Sequence, residues 1–430
     1  MLCNSQYIII ISIGLYFDAT ICLSTDNYYL RLMPNEIQRL AIKLSKAGER
    51  SLRSGHPWIF EKAITKVSKE GNAGDIAIVY GTKSNKVIGV GLYDPHSPIR
   101  IKMLHHNGGA NINQEWIADK IAIAYDRRLP LLETDTNSYR LIFGENDGLP
   151  SLIVDVYADV AVIKLYSLIW QHHLHDILDA VVHHTKVKTV VLRLSRNVQK
   201  LQQKYKDGQI LFGELQDPIV VFREHGVLFS AHVIKGHKTG YFLDHRENRR
   251  RVGELANGKS VLDIFAYAGG FSVHALAGGA TRVVSLDISK QALDMAKHNV
   301  SLNDLSANHD VMAIDAFEGM QQLQNRGKQF DIVIVDPPSF AKSAADVPAA
   351  INSYRRLTKM AIPLVAPGGL LLSASCSSRV NKDAFYDLVI EELDRANRFY
   401  KVVDRTYHDV DHPISFSEGA YLKSIYIELD

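Results

Sequence analysis

The chain is expected to be an α/β protein, with an open, mainly parallel sheet and covering helices in its C-terminal half and two smaller, β-rich regions ahead of it. Three observations predict this. From residue 260 onward, apolar runs alternate with glycine-containing turns and helical stretches, the rhythm of a parallel sheet. Between residues 37 and 104 the apolar runs are short and punctuated by Gly and Pro, which suits a small β-barrel. The length of 430 residues also exceeds what one hydrophobic core ordinarily organises.

Composition fits a folded enzyme: 46% hydrophobic and 22% charged residues exclude a disordered chain or a fibrous repeat. Lys and Arg total 49 against 47 Asp and Glu, a net charge of +2, so a nucleic-acid partner would need a local basic patch. The three cysteines, Cys3, Cys22 and Cys376, are too few for a disulfide framework, which points to a reducing, cytoplasmic setting. No Cys/His spacing suggests a metal site. Residues 7–17 are apolar but lack the basic flank of a signal peptide, and the stretch is too short to span a bilayer as a helix. A domain-like pattern starts at Met33, so residues 1–32 are read as an extension ahead of the true start, with a signal or anchor as the competing reading.

The elements follow in order. In 33–110, Ala73-Gly-Asp-Ile-Ala-Ile-Val-Tyr80 and Val87-Ile-Gly-Val-Gly-Leu-Tyr93 are strands of the barrel. In 111–225, an amphipathic helix at 116–129 precedes strands at 152–156 and 160–165, a helix at 170–184 and a strand at 189–194, an α+β arrangement. In 226–430, strands are expected at 260–264, 282–287, 310–314, 330–335 and 369–374. Ligands of such sheets bind outside the carboxyl ends of the strands.

The residues that carry chemistry fall there. Val261-Leu-Asp-Ile-Phe-Ala-Tyr-Ala-Gly-Gly-Phe-Ser272 places Asp263 near a strand end, followed by a loop with Phe265, Tyr267, Gly269 and Gly270. Its glycines let backbone approach a ligand closely, and a plain structural turn is an equal reading. Asp287 closes the next strand about twenty residues later, where a carboxylate can accept both hydroxyl hydrogens of a ribose. The loop lacks the G-x-G-x-x-G spacing that a pyrophosphate requires, so a ligand with ribose but no phosphates, such as S-adenosylmethionine, fits better. Asp315 suits either an adenine amino group or a helix N-cap.

Asp336-Pro-Pro-Ser-Phe340 follows an apolar strand, and its prolines are expected to stiffen the loop so that Asp336 points into the cleft, with a merely structural Pro-Pro turn as the competing reading. Cys376 lies just past the following strand. A buried small hydrophobe is the bland reading, while the neighbouring serines favour a nucleophile. Addition of a thiolate at C6 of a pyrimidine makes C5 nucleophilic, and a base, Asp336 or a water, must then remove the C5 proton. The stretch from Gly236 to Arg251 is dense in cations and suits a solvated face or, through Tyr241 and Phe242, a clamp over a ligand.

Taken together with Ser54-Gly-His-Pro-Trp-Ile-Phe60, Tyr139-Arg-Leu-Ile-Phe-Gly-Glu-Asn-Asp-Gly-Leu-Pro150, Gly236-His-Lys-Thr-Gly-Tyr-Phe-Leu-Asp-His-Arg246, Ser375-Cys-Ser377 and Glu418-Gly-Ala-Tyr-Leu-Lys423, these segments resemble a family. It is that of the RlmI-type class I methyltransferases, which make 5-methylcytosine in 23S rRNA. The resemblance implies an RNA-binding PUA domain (33–110), an EEHEE-type central domain (111–225) and a Rossmann-like methyltransferase domain (226–430). It implies that Cys376 is the attacking thiol, with Asp336 beside it. It also implies that the donor is held by Lys238, Thr239, Gly240, Asp244 and Arg246, by Asp263, Phe265, Tyr267, Gly269 and Gly270, and by Asp287, Asp315 and Asp336. Two positions depart from it: His245 stands where relatives often carry Gln, and Ser339 where many carry Lys.

The function so implied is transfer of a methyl group from S-adenosylmethionine to C5 of a cytosine in large-subunit rRNA through a Cys376–C6 adduct. Methylation of a base nitrogen without an adduct, and a non-catalytic RNA-binding assembly factor, are the alternatives. The RNA would be naked or partly assembled, because the target base must be unpaired or extruded. No membrane partner is expected, and a homodimer is compatible with the sequence.

Overall fold

The computed structural model describes residues 37–430; the expectation for residues 1–32, and with it Cys3 and Cys22, lies outside them. The described residues divide into two compact units, one comprising residues 37–111 together with Leu168–His175, the other Ile112–Ser167 with Asp176–Asp430. Among the described residues no helix is long and apolar enough to cross a membrane.

The first unit contains β1 (Arg39–Leu44), α1 (Lys46–Arg53), β2 (Trp58–Phe60), β3 (Ile64–Val67), β4 (Ile76–Tyr80), β5 (Val87–Tyr93) and β6 (Ile99–His106). The strands form one six-stranded sheet in the order β2-β6-β5-β4-β1-β3. Alternation along β1 sends Leu40, Ile42 and Leu44 inward, where they meet Leu52 of α1, Val79 and Ile101 in one core. Ser45 caps α1 by accepting from Gly48 N at 3.1 Å.

The second unit opens with α2 (Gln114–Leu132), β7 (Ser138–Phe143), β8 (Leu152–Tyr157) and β9 (Val160–Leu165). After α3 (Leu174–Thr185) come β10 (Thr189–Leu194), α4 (Arg196–Leu201) and β11 (Gln209–Phe212), which complete a sheet ordered β11-β10-β9-β8-β7. β9 and β10 are buried along their whole length, which is why both read as continuous apolar runs. A hairpin of β12 (Ile219–Glu224) and β13 (Val227–His232) follows.

Then come α5 (Arg246–Leu255), β14 (Ser260–Ile264), α6 (Gly270–Ala277), β15 (Arg282–Asp287), α7 (Lys290–Ser301), β16 (His309–Ala313), α8 (Ala316–Asn325) and β17 (Phe330–Val335). The chain closes with α9 (Val347–Ala361), β18 (Val365–Ser375), α10 (Lys382–Ala396), β19 (Tyr400–Thr406) and β20 (Lys423–Leu429). The seven strands lie in the order β16-β15-β14-β17-β18-β20-β19, all parallel except β20, which runs antiparallel to both its neighbours. One apolar core covers the sheet face under α8, α9 and α10; the other continues from the face under α5, α6 and α7 through the hairpin to Tyr157 and Val162 of the central sheet. The crossovers leave β14 towards β15 on one side and β17 lies on the other, so a crevice opens at the carboxyl ends of β14 and β17.

Candidate active site

The backbone bends sharply after β14. Phe265 and Tyr267 sit in the left-handed region (φ 67° and 49°) and Gly269 follows at 76°. Such conformations cost on the order of 1–3 kcal/mol for a non-glycine residue and persist only where neighbours hold them. Here the Leu286 carbonyl accepts from Phe265 N (2.9 Å) and Ala266 N (3.1 Å), and Asp287 Oδ2 accepts from Tyr267 N at 3.0 Å. Asp287 Oδ1 accepts from Ser289 N at 2.8 Å. Asp287 is thus the anchor of the loop, and each oxygen keeps a lone pair for a further donor. The glycines have a packing reason. A Cβ on Gly270 would lie 2.7 Å from both Arg249 Cδ and the Tyr241 hydroxyl, and one on Gly269 would lie 2.8 Å from Ala296 Cβ.

Asp263 is buried one residue before the end of β14. Its Oδ2 accepts from Ser272 N (3.1 Å) and Ser272 Oγ (2.7 Å), while its buried Oδ1 has no hydrogen-bond partner among the described residues. Burial raises this carboxyl to about 7, against the Ser272 hydrogen bonds, and Asp336 and Asp287 push the same way as burial. An orphaned acceptor facing two other carboxylates is an electrostatically incomplete site that a cationic ligand would complete. Asp315 is exposed and caps α8, accepting from Phe317 N (3.0 Å) and Glu318 N (3.3 Å).

Asp336 follows β17, partly exposed, with Oδ1 3.3 Å from Nε2 of the buried His245. Asn248 Nδ2 lies 2.9 Å from His245 Nδ1, and Asn248 Oδ1 accepts from Thr406 Oγ1 (2.7 Å) and the Tyr426 hydroxyl (2.9 Å). That arrangement fits an imidazole that accepts at Nδ1 and presents Nε2–H to Asp336. Burial pulls the imidazole down, but Asp336 outweighs it and leaves His245 above its ordinary value.

Cys376 comes directly after β18 and is half-buried, with Sγ 3.6 Å from the Pro337 carbonyl of the Asp-Pro-Pro loop. Burial pushes its thiol up to about 12, the charges of Asp336 and Asp244 add to this, and Lys423 opposes them. Lys423 is buried, donates to the carbonyls of Ser377, Val380 (2.7 Å) and Tyr421 (3.1 Å), and is itself lowered to about 8 by burial. Tyr421 donates its hydroxyl to Asp244 Oδ2 at 2.7 Å. Burial tends to raise Asp244, but His412, His245, the Tyr421 bond and Arg140 hold it down at about 2.

The stretch 236–251 does not converge on one place. Lys238 is exposed, and its carbonyl accepts from Lys164 Nζ at 2.6 Å. Thr239 is wholly buried; its hydroxyl donates to Asp155 and lies 2.9 Å from the Tyr157 hydroxyl. A Cβ on Gly240 (φ 143°) would lie 2.9 Å from Ala231 Cβ, so this glycine permits the loop to press on β13. Tyr241 points into the core, whereas Phe242 is exposed and meets the Tyr267 ring edge-on at 5.2 Å. Arg246 is wholly buried and gives its fork to Asp411 (3.1 and 2.6 Å), and Arg249 gives its own to Glu224 (2.7 Å twice). Arg250 pairs with Glu247 and Glu254, and Arg251 with Asp404. The cations of α5 are thereby engaged in ion pairs within the fold, those of Arg246 and Arg249 buried and those of Arg250 and Arg251 nearer the surface.

The structure therefore brings Asp263, the 265–270 loop, Asp287, Asp315, Asp336, Asp244 and Cys376 to the strand ends or the loops beside them, and commits the side chains of Thr239 and Arg246 elsewhere. Sequence reasoning did not pair His245 with Asp336, and it gave no role to Tyr421 or Lys423, although both lie in the quoted segment Glu418–Lys423. A lysine opening an otherwise apolar strand was the available signal for Lys423.

Comparison with known proteins agrees with this geometry. A family model described as S-adenosylmethionine-dependent methyltransferase matches residues 149–426, and a model of a PUA-like domain matches residues 42–106. A protein of Deinococcus radiodurans named ribosomal RNA large subunit methyltransferase is 41% identical over 400 residues, covering 91% of this chain and 98% of the relative. A Vibrio parahaemolyticus protein named ribosomal RNA large subunit methyltransferase I is 36% identical over 389 residues (89% and 98%). Among solved structures, a Streptococcus mutans protein named as an S-adenosylmethionine-dependent methyltransferase superposes with a TM-score of 0.77 at 19% identity, covering 90% of this chain and 99% of its own. A second, complexed with S-adenosylhomocysteine, gives 0.77 at 20% identity (91% and 100%). At these identities the structural likeness speaks for the fold.

Proposed function

Because the chain belongs to the S-adenosylmethionine-dependent methyltransferase family, we propose that it methylates C5 of a cytosine in large-subunit rRNA, using Cys376 as a covalent nucleophile. The names of its relatives support the RNA class. The observation that carries the chemistry is the half-buried Cys376 thiol, set against the Asp336 loop on one side and the buried Lys423 on the other. The reading also takes the protein to be cytoplasmic, acting on naked or partly assembled rRNA.

The orphaned Oδ1 of Asp263 and the flanking carboxylates fit a donor that carries an ammonium and a sulfonium. In this reading Asp263 holds the ammonium end, Asp287 the ribose hydroxyls and Asp315 the adenine amino group, with Phe265 and Tyr267 beside them. Lys238, Gly240 and Asp244 shape the loop over the site, and Thr239 and Arg246 fix that loop to β8 and to Asp411. When bound, S-adenosylmethionine supplies an electrophilic methyl group and departs as S-adenosylhomocysteine.

The protein's residues then do the following. The thiol of Cys376 gives its proton to Asp336 and forms an Sγ–C6 bond, which places the electron pair at C5. Lys423 offsets the negative charge of the sulfur as it forms. Once C5 carries the methyl group, Asp336, its proton having passed to water, takes the C5 hydrogen. The Sγ–C6 bond breaks, and the ring recovers its aromatic character. His245, with Nε2 3.3 Å from Asp336 Oδ1, orients Asp336 for both transfers.

Cys376→Ala is the test. The variant should still gain melting temperature with S-adenosylmethionine, because a ligand specific to the native state must stabilise it, yet form no 5-methylcytosine in rRNA. Unimpaired methylation by Cys376→Ala would exclude the adduct and favour a base nitrogen as acceptor; a melting temperature indifferent to the donor would favour the assembly-factor reading.

A further inference from the structure

Asp263 Oδ2 is one end of a continuous hydrogen-bond chain that leads away from the crevice. Ser272 Oγ of α6 donates to it at 2.7 Å and lies 2.6 Å from Ser285 Oγ of β15, which lies 2.7 Å from His309 Nε2 at the start of β16. Asp263 and Ser285 are directly paired across β14 and β15, and His309 pairs with Val283, two residues earlier on the same face of β15. Both serines are wholly buried, so no water is needed to close the chain. His309 is half-buried and lines a surface groove of about 540 Å³ with Asp294, Lys297, His298, Ser301 and Ser306. The carboxylate proposed to hold the donor is thereby connected, through two hydroxyls and an imidazole, to a solvent groove lined by α7 and the segment that leads into β16.

We infer that Ser272, Ser285 and His309 are positioning residues that carry the Asp263 proton out to this groove when the cationic donor occupies the crevice. The inference rests on Asp263 as a donor ligand. Each step balances. The Oδ2–H bond of Asp263 breaks as Ser272 Oγ takes the hydrogen; Ser272 passes its own to Ser285, and Ser285 passes its own to His309 Nε2. The imidazole then loses its Nδ1 hydrogen to water in the groove and is neutral again, now as the Nε2–H tautomer. With that tautomer in place every hydroxyl points toward Asp263, so the carboxylate is stabilised for as long as the donor is bound.

The groups that face the two ends agree with this direction of flow. Asp263 is buried and faces Asp336 of the loop after β17 and Asp287 of β15, which together raise it to about 7, so near neutral pH a substantial share of the donor-free protein carries the proton that a positive charge would displace. His309 faces Lys297 of α7 and its neighbour Asp310, and burial, the largest influence, holds it below the ordinary imidazole value. It therefore hands the proton on to water rather than storing it.

The test is ¹⁵N nuclear magnetic resonance of the histidine side chains in the full protein at pH 7, with S-adenosylmethionine added to saturation. Binding is verified separately by the rise in melting temperature. His309 should shift from a mixture of tautomers to predominantly Nε2–H on addition of the donor. The response should vanish in Ser285→Ala, with donor-dependent melting retained. Ser285→Thr, which keeps the hydroxyl, should restore it and guards against a variant that fails to fold. A His309 signal that ignores a bound donor, or that still responds in Ser285→Ala, overturns the relay. Absence of any donor-induced melting shift would instead count against Asp263 as part of a donor site.

Discussion

The resting thiol of Cys376 should be unreactive, and the size of the effect follows from its surroundings. Burial and the charges of Asp336 and Asp244 push the thiol up to about 12, whereas a free cysteine titrates near 8.5. At pH 8 about a quarter of a free thiol is thiolate; for Cys376 the fraction is on the order of 10⁻⁴. The deficit is about two thousand-fold. A more basic thiolate is more nucleophilic, which with a Brønsted coefficient near 0.45 returns a factor of about 40. Alkylation should thus be roughly sixty-fold slower than for free cysteine, before access is considered. The assay is timed iodoacetamide labelling of the folded protein from pH 7 to 10, read by peptide mass spectrometry so that Cys376 is separated from Cys3 and Cys22. The rate should rise about tenfold per pH unit without a plateau. Asp336→Asn should speed labelling, since it removes a charge that opposes the thiolate, and Lys423→Met should slow it. A plateau below pH 9, or labelling as fast as free cysteine, would refute the electrostatic account and mean that the nucleophile is already ionised before RNA arrives.

Asp263→Asn should stabilise the donor-free protein at pH 8 while abolishing the donor-induced melting shift. The carboxyl is near 3.9 when unfolded and about 7 when folded, so the native state binds more protons between those values and stability falls as pH rises through that window. The gain, at most about 4 kcal/mol, should therefore be present at pH 8 and absent at pH 4, and equal melting curves at both pH values would contradict it. Arg246→Met leaves the wholly buried Asp411 without its guanidinium partner, with only Arg140 N and the His412 ring beside it, and should cost about 3–5 kcal/mol in denaturant titrations. Donor affinity measured on the folded variant at low temperature should stay within about threefold, since both terminal nitrogens of the guanidinium are held by Asp411; a tenfold or greater loss would place that group in the donor site. Asp244, held at about 2, contributes stability that is present above the unfolded carboxylate value and lost as pH falls from about 4 toward 2. Asp244→Asn should flatten that part of the acid-unfolding curve, and an unchanged curve would contradict the assignment.

The α/β class and the strands of the large sheet were legible because local pattern alone determines them. Strands at Ser260–Ile264, Arg282–Asp287 and Phe330–Val335 are apolar runs bounded by breakers, and a strand buried on both faces leaves that imprint whatever its neighbours. The position of Asp287 and Asp336 at strand ends follows from the same boundaries, as does the capacity of Asp315 to cap α8. What could not be read is every feature that depends on which elements become neighbours. Arg246 and Thr239 looked available to a ligand because a sequence does not reveal that Asp411 and Asp155 will meet them. His245 acquires Asp336, and Ser285 becomes a link between Asp263 and His309, only through the order of the strands. Lys423 is opposite Ser375, and so beside Cys376, only because β20 inserts antiparallel against β18. Periodicity and turn chemistry are properties of a few consecutive residues and survive in the sequence. Partners and ionisation are set by charges and dielectric contributed from distant segments, and exist only once the chain has closed around them.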